Sequence, residues 1–362
     1  MRLREHKTDV IIDETIERIK VNAGFLRLYI EDGILGDIPV YQINSVLIMG
    51  SNIDIPARLI KLCAEYKIPI HILTNQNKHY GSLHFAADQN VINRQSQYMV
   101  SLDETWRTFL AQQILHQKIL IQSRLMATWL GKDYHKAQSY HDISRSLSSI
   151  PKKKTPNSLL GVEGSAAVLY WEQFGKQVEE KGGFEWPGRI KNPCRDPVNS
   201  LLSLAYGLLA TQCQSSLTLQ GLDPYFGLLH KTNDDRPALT YDLMELYRCL
   251  LVDLWVLGLI RSETFTSKDF TSTKEGVCTL LSDKKNEFFK LWFKRLKYYK
   301  FQSNYGDLSI KDFLDANTKL LIDWFERINK QKFRKSKTFE RLPGNLIVFE
   351  SIGQFAIVHK NI

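Results

Sequence analysis

FLRLYIEDGILGDIPVYQINSVLIMG, residues 25–50, decides how the chain is read. Its short apolar runs, FLRLYI, ILGDIPV and SVLIMG, are separated by turn residues such as Glu31, Asp32 and Gly33, the pattern of strands a few residues long. The same pattern returns downstream in IPIHIL (68–73) and HYGSL (79–83). Between them, DIPARLIKLCAEYK (54–67) places apolar residues at helical spacing behind Asp54, a candidate N-cap, so one helix interrupts the strands. His71 lies inside an apolar strand and reads as a buried structural histidine.

Past Gln89 the texture becomes helical. RQSQYMVSLDETWRTFLAQQILHQKILIQSRLMATWL (94–130) repeats apolar residues at three and four, as one long helix or two, and its glutamines and lysines read as a solvated face. Residues 131–157 are polar and read as a loop around a short helix; Lys152, Lys153 and Lys154 there are either solvated charge or phosphate contacts. Helices follow over about 159–180, 197–212 and 239–260, with more after Asp269, Lys284 and Ser309, and GNLIVFESIGQFAIVHK (344–360) reads as two terminal strands. The expected fold is therefore α+β, an N-terminal β-rich domain over 1–90 followed by a larger all-α domain over 91–362. A chain of 362 residues exceeds the usual size of one core, in keeping with two domains.

Composition narrows the function classes. A net charge of +9 suits a polyanionic partner, because lysine and arginine beside phosphates release counterions. No stretch approaches the roughly 20 apolar residues of a membrane span. MRLREHKTDVIIDETIERIK, at the N-terminus, has no apolar segment of a secretory signal, so no membrane role and a cytoplasmic location are expected. The five cysteines are scattered and odd in number, without a Cys-x-x-Cys pair, which excludes a disulfide framework and a cysteine zinc site. Walker, dinucleotide-fingerprint, nucleophile-elbow and His-Glu-x-x-His patterns are all missing.

Four segments carry chemistry. GVEGSAAVLYW (161–171) surrounds Glu163 with small residues that allow close approach, although alone Glu163 also reads as a first-turn glutamate favoured by the helix dipole. RDPVNSLLSLAYGLL (195–209) starts a helix with Asp196 as cap and Pro197 at its first position; Asn199 in the first turn faces a ligand or satisfies backbone groups. GLDPYFGLLH (221–230) ends on His230. YDLMELYR (241–248) puts Asp242 and Glu245 three residues apart on one face of an otherwise apolar helix, where carboxylates are costly to bury unless paired or metal-bound. Two carboxylates and an imidazole suit Mg²⁺ or Mn²⁺ acting on phosphate.

In this order, and with IPVYQINSVLIMG (38–50) and SQYMVSLDETWRTFLAQQIL (96–115) ahead of them, these segments resemble the CRISPR-associated protein 1 family, integrases of spacer acquisition. The resemblance implies metal ligation by Glu163, His230 and Glu245 with Asp242 in support. It also implies a dimerising N-terminal domain, a homodimer bridged by the small dimeric CRISPR-associated protein 2, and double-stranded DNA (prespacer and CRISPR repeat) as substrate. The implied chemistry is endonucleolytic cleavage and 3′-hydroxyl transesterification into a CRISPR array; a casposase-type transposon integrase with the same core is the alternative. Family members often carry arginine five residues after the metal glutamate, where this chain has Val168, and Arg236 and Arg248 are the nearby basic candidates for DNA contact. After Thr266 the resemblance fades. KKNEFFKLWFKRLKYYK (284–300) there predicts buried aromatics and a basic stripe of Lys290, Lys294 and Lys297, and KQKFRKSK (330–337) is a second basic run.

Overall fold

The computed structural model describes residues 8–22, 24–50, 52–73, 79–85, 91–191, 193–232, 236–303 and 306–333. They form two compact units, one of the described residues within 1–90 together with 287–299, the other of the described residues within 91–286 and from 300 onward. The architecture is α+β: a β-rich N-terminal region followed by a mostly helical one.

In the first unit, β1 (Thr8–Asp13) precedes the antiparallel meander of β2 (Arg18–Asn22), β3 (Phe25–Ile30) and β4 (Gly33–Pro39). Gly33, at φ +120, supplies the backbone geometry of the β3–β4 turn. β5 (Ile43–Met49) then pairs in parallel with β1. α1 (Ala57–Glu65) is the crossover to β6 (Ile70–Leu73), parallel to β5, and β7 (His79–Leu83) closes the sheet antiparallel to β6. Val10, Ile12, Val46, Ile48 and Ile70 of the sheet share one core with Leu59, Leu62 and Cys63 of α1. His71 is fully buried and bonds to Ser82 through Nδ1 at 2.8 Å, as the apolar strand predicts.

Asp54 does not cap α1. Ile55 precedes Pro56, which drives it away from helical backbone, so the helix starts only after Pro56 and without a side-chain cap. β1 and β2 were not anticipated, since charged residues break up their apolar alternation.

In the second unit the 94–130 stretch is two helices, α2 (Val91–Ser101) and α3 (Glu104–Leu130), divided where Asp103 Oδ1 accepts from the N–H groups of Thr105 and Trp106. The solvated face expected of α3 is largely absent: Gln117, Lys118 and Gln122 are buried with Ile114, Leu115, Ile119 and Ile121. Residues 131–157 hold a full helix, α4 (Gln138–Ser149), flanked by 3₁₀ turns. Its serines return hydroxyls to carbonyls one turn back, Ser144 to Tyr140 and Ser146 to Asp142, while Ile143 and Ile150 are buried. α5 (Pro156–Gly182) and α6 (Pro197–Leu219) begin at Thr155 and Asp196 caps, and α5 packs on α3 and α4.

The single helix expected over 239–260 is interrupted. α7 (Ala238–Glu245) stops at Glu245, a π turn spans Cys249–Asp253, and α8 (Leu254–Arg261) continues. Beyond Asp269 a hairpin replaces the expected helix: β8 (Phe270–Ser272) and β9 (Cys278–Leu280) meet around Gly276, whose φ of +77 favours a turn. α9 (Ser282–Tyr298), hairpin β10 (Lys300–Ser303) and β11 (Gly306–Ser309), and α10 (Ile310–Phe333) complete the described chain. These hairpins qualify the all-α expectation for the second region. The proposed strands over 344–360, and the 334–337 end of the second basic run, lie outside the described residues.

Candidate metal centre

The polar site is assembled by α3, α5, α7 and the 221–230 turn. Glu163 stands two turns inside α5, because Thr155 caps that helix and Pro156 opens it, which removes the first-turn dipole reading. Glu245 ends α7, and Asp242 lies one turn earlier. One ligand atom each from Glu163, His230 and Glu245 lies within 4.8 Å of the others, and no other such group of three occurs among the described residues. Exposure is graded across the group, with side-chain values of 4% for Glu245, 18% for Glu163 and 33% for His230, so the imidazole stands nearest solvent.

Asp242 organises the histidine. Its Oδ2 accepts the N–H groups of Leu228 and Leu229 at 2.5 and 3.0 Å, and its Oδ1 accepts the His230 N–H at 3.0 Å and the ring Nδ1 at 2.6 Å. Engagement of Nδ1 leaves Nε2 as the ligand atom, the usual second-layer arrangement of a metal histidine. Burial alone would lower the pKa of His230, but the bond and charge of Asp242, with Glu245 and Glu163 beyond, outweigh it and raise the value. Gly227 permits this fold of the chain: a Cβ there would lie 2.7 Å from both Ala238 Cβ and the His230 carbonyl.

The turn is also held from its other side. Gln97 on α2 donates to the carbonyls of Asp223 and Phe226, Tyr98 donates to Asp223 at 2.7 Å, and Arg107 on α3 donates to the Leu228 carbonyl at 2.9 Å.

Two cations lie against the carboxylates. Lys118 on α3 is 2.5 Å from Glu163 Oε1 and 2.8 Å from Glu245 Oε2; Arg248 is 2.5 Å from Glu245 Oε1. Burial opposes the Glu245 charge, yet Arg248 and Lys118 together hold its pKa well below the usual carboxylate range. Behind Arg248, the Tyr206 ring lies 4.7 Å from the guanidinium, and Tyr206 and Tyr170 both donate to buried Asp253.

The donor set fits a divalent cation. An ion about 2.1 Å from each ligand holds them no more than about 4.2 Å apart, so the three side chains need only a small contraction. A cation already lies between the two carboxylates in the form of the Lys118 ammonium. Oxygen donors suit Mg²⁺, and the imidazole adds preference for Mn²⁺.

The other sequence candidates fall in different places. Asn199 is fully buried and spends its amide on Arg189, the Ile190 N–H, the Gly188 carbonyl and Asp196, the backbone-satisfying role of the two open to it. Arg248 is part of the inner site and not of a surface. Arg236, Lys290 and Lys294 are exposed, whereas the Lys297 side chain lies outside the described residues. On α9, Phe288, Phe289 and Trp292 are buried, as the interleaved aromatics predict. Val168 is 68% exposed on the face of α5 that also carries Gly164 and Ser165. Sequence reasoning missed Lys118, whose one signal was a lysine inside an apolar helical stripe.

The family model described as CRISPR associated protein Cas1 matches residues 10–294. This chain belongs to the Cas1 family. The match runs past Thr266, beyond the segments that carry the resemblance, and stops ahead of α10. A curated relative is CRISPR-associated endonuclease Cas1 3 of Thermus thermophilus, 35% identical over 258 residues, which cover 71% of this chain and 75% of that protein. A chain of a Cas6-RT-Cas1–Cas2 complex superposes on this Cas1 fold with TM-score 0.75 and 23% identity, covering 94% of this chain and 37% of that one. A casposase bound to integration product superposes with TM-score 0.79 and 20% identity, covering 94% and 95%. At these identities the two superpositions establish the fold alone.

Proposed function

We propose that this Cas1 protein is a divalent-metal-dependent DNA endonuclease and integrase that inserts short spacers into a CRISPR array. The observation that carries the reading is the convergence of Glu163, His230 and Glu245 within 4.8 Å, with Asp242 fixing the imidazole from behind. Relatives named as CRISPR-associated endonucleases support it.

A bound Mg²⁺ or Mn²⁺ would polarise a phosphodiester oxygen and offset the charge that develops there. The protein's own residues prepare for this. Asp242 keeps the His230 ring in one tautomer and one orientation, with Nε2 presented. Arg248, braced by Tyr206, keeps Glu245 ionised and fixed. No protein nucleophile is required: a DNA 3′-oxygen bonds to phosphorus as the target strand's own 3′-oxygen leaves, and water takes the same part in cleavage. Duplex DNA reaches the protein through exposed cations such as Arg236, Lys290 and Lys294. The partners are a second copy, through the N-terminal domain, and the small Cas2 protein, named in the complex of similar fold.

Glu163→Gln tests the reading. The variant should fold and bind DNA as the parent does, yet lose Mn²⁺-dependent strand transfer by about a hundredfold or more. Full transfer activity in that variant refutes the site assignment. A second reading with the same core is integration of a transposon's own ends, the casposase being alike in fold; a preference for such ends over repeat boundaries in the same assay selects it.

A further inference from the structure

Lys118 is 3% exposed and contributes no ligand atom of the kind a divalent ion selects, yet it touches both carboxylates that would bind one. Glu163 and Glu245 come from different helices, α5 and α7, and α3 brings the ammonium between them. Two carboxylates this close and this shielded repel one another strongly unless a cation separates them. The ammonium supplies that cation in a compact form, on a side chain buried in α3.

The same geometry sets a conflict. A divalent ion and the ammonium need the same carboxylates, and positive charges held within a few ångströms repel. We propose that Lys118 is a tethered counter-ion. It holds the carboxylates in register while the metal is absent, and it gives up at least one of them when the metal arrives, so it sets the metal affinity. This rests on the metal-site reading above. In this role Lys118 is a positioning residue, acting through Glu163 and Glu245 rather than on DNA.

The test is Mn²⁺ binding to the full-length protein without DNA, followed by calorimetry and by the electron paramagnetic resonance of free Mn²⁺. Lys118→Met should bind Mn²⁺ about tenfold more tightly than the parent, the low end of what neighbouring groups do to a metal site. Lys118→Gln should do the same, and Lys118→Arg, which keeps the charge, should stay near the parent. The Met variant should also melt lower without metal and gain more in Tm from saturating Mn²⁺ than the parent does. If it folds poorly, Mn²⁺ should restore its folding, and no restoration counts against the proposal. Parent and neutral variants binding Mn²⁺ alike, or the variants binding it more weakly, overturns the role of Lys118 while leaving the metal site intact. If the parent and all variants bind no Mn²⁺, both readings fall together.

Discussion

His230 is tied to Asp242 twice through one oxygen: its ring Nδ1 and its backbone N–H both donate to Asp242 Oδ1, at 2.6 and 3.0 Å. One carboxylate thus fixes the ring and the main chain that carries it, so the imidazole cannot turn without moving the turn. Asp242→Asn removes the charge and turns one oxygen into a donor that faces N–H groups. Mn²⁺ affinity should fall about 10- to 100-fold, and unfolding free energy by about 1–3 kcal/mol. Calorimetric titration and urea denaturation measure the two, and unchanged affinity would show that the imidazole needs no support.

Gly227 has no room for a methyl group, since its neighbours there are Ala238 Cβ and a backbone carbonyl, neither of which rotates away. Gly227→Ala should cost about 1–3 kcal/mol of stability through overpacking and weaken Mn²⁺ binding by displacing His230. A variant with parental stability and metal affinity would show that the turn relaxes freely.

Lys290 and Lys294 are exposed one helical turn apart on α9. If both meet phosphate, Lys290→Ala with Lys294→Ala should lower the slope of log K against log salt by about two units. The melting temperature should be preserved, because these are surface changes. An unaltered salt slope would remove α9 from the DNA path.

The thiols offer a check on burial. Burial pushes Cys63 up to about 12 and Cys278 up to about 11, and it raises Cys213 and Cys249 as well. A raised pKa keeps a thiol protonated, and so unreactive, until pH approaches that value. At pH 8 the native protein should yield one fast thiol to Ellman's reagent, the half-buried Cys194, and all five after denaturation. Two or more fast thiols in the native state would contradict the packing.

The strands from Phe25 onward, the Asp196 cap and the acids of the candidate site were legible in the sequence because each rests on local pattern: turn residues, capping chemistry, two acids on one apolar face. The sequence concealed what depends on partners distant in the chain. β1 is specified by its parallel pairing with β5, a contact its mixed alternation cannot announce. Lys118 looked like solvent-facing charge because a lysine is normally exposed; only the arrival of Glu163 and Glu245 from two other helices makes its burial tolerable. The same holds for Arg248, read as a DNA contact and found against Glu245 and Tyr206. Glu163, His230 and Glu245 were each unremarkable as single residues, and their meeting rests on the crossing of α5, α7 and the 221–230 turn.

The π turn at Cys249–Asp253 acts as a phase shift. A wide turn takes up one residue more than an α-helical turn, so the stretch after Glu245 is rotated relative to the angle that uninterrupted winding would give it. Five residues in this wide turn cover about the same angle as four in an α-helical turn, so removing one residue from 249–253 would let ordinary winding resume with the downstream half on nearly its present bearing, whereas ordinary winding at full length would swing that half by about 100°. In that full-length winding Asp253 would leave Tyr170 and Tyr206 while Glu245 kept its own bearing. Two faces of one rod, aimed at different neighbours, are thus reconciled by one extra residue, and winding that turn as ordinary helix at full length would break the aim at the tyrosine pair without touching any ligand.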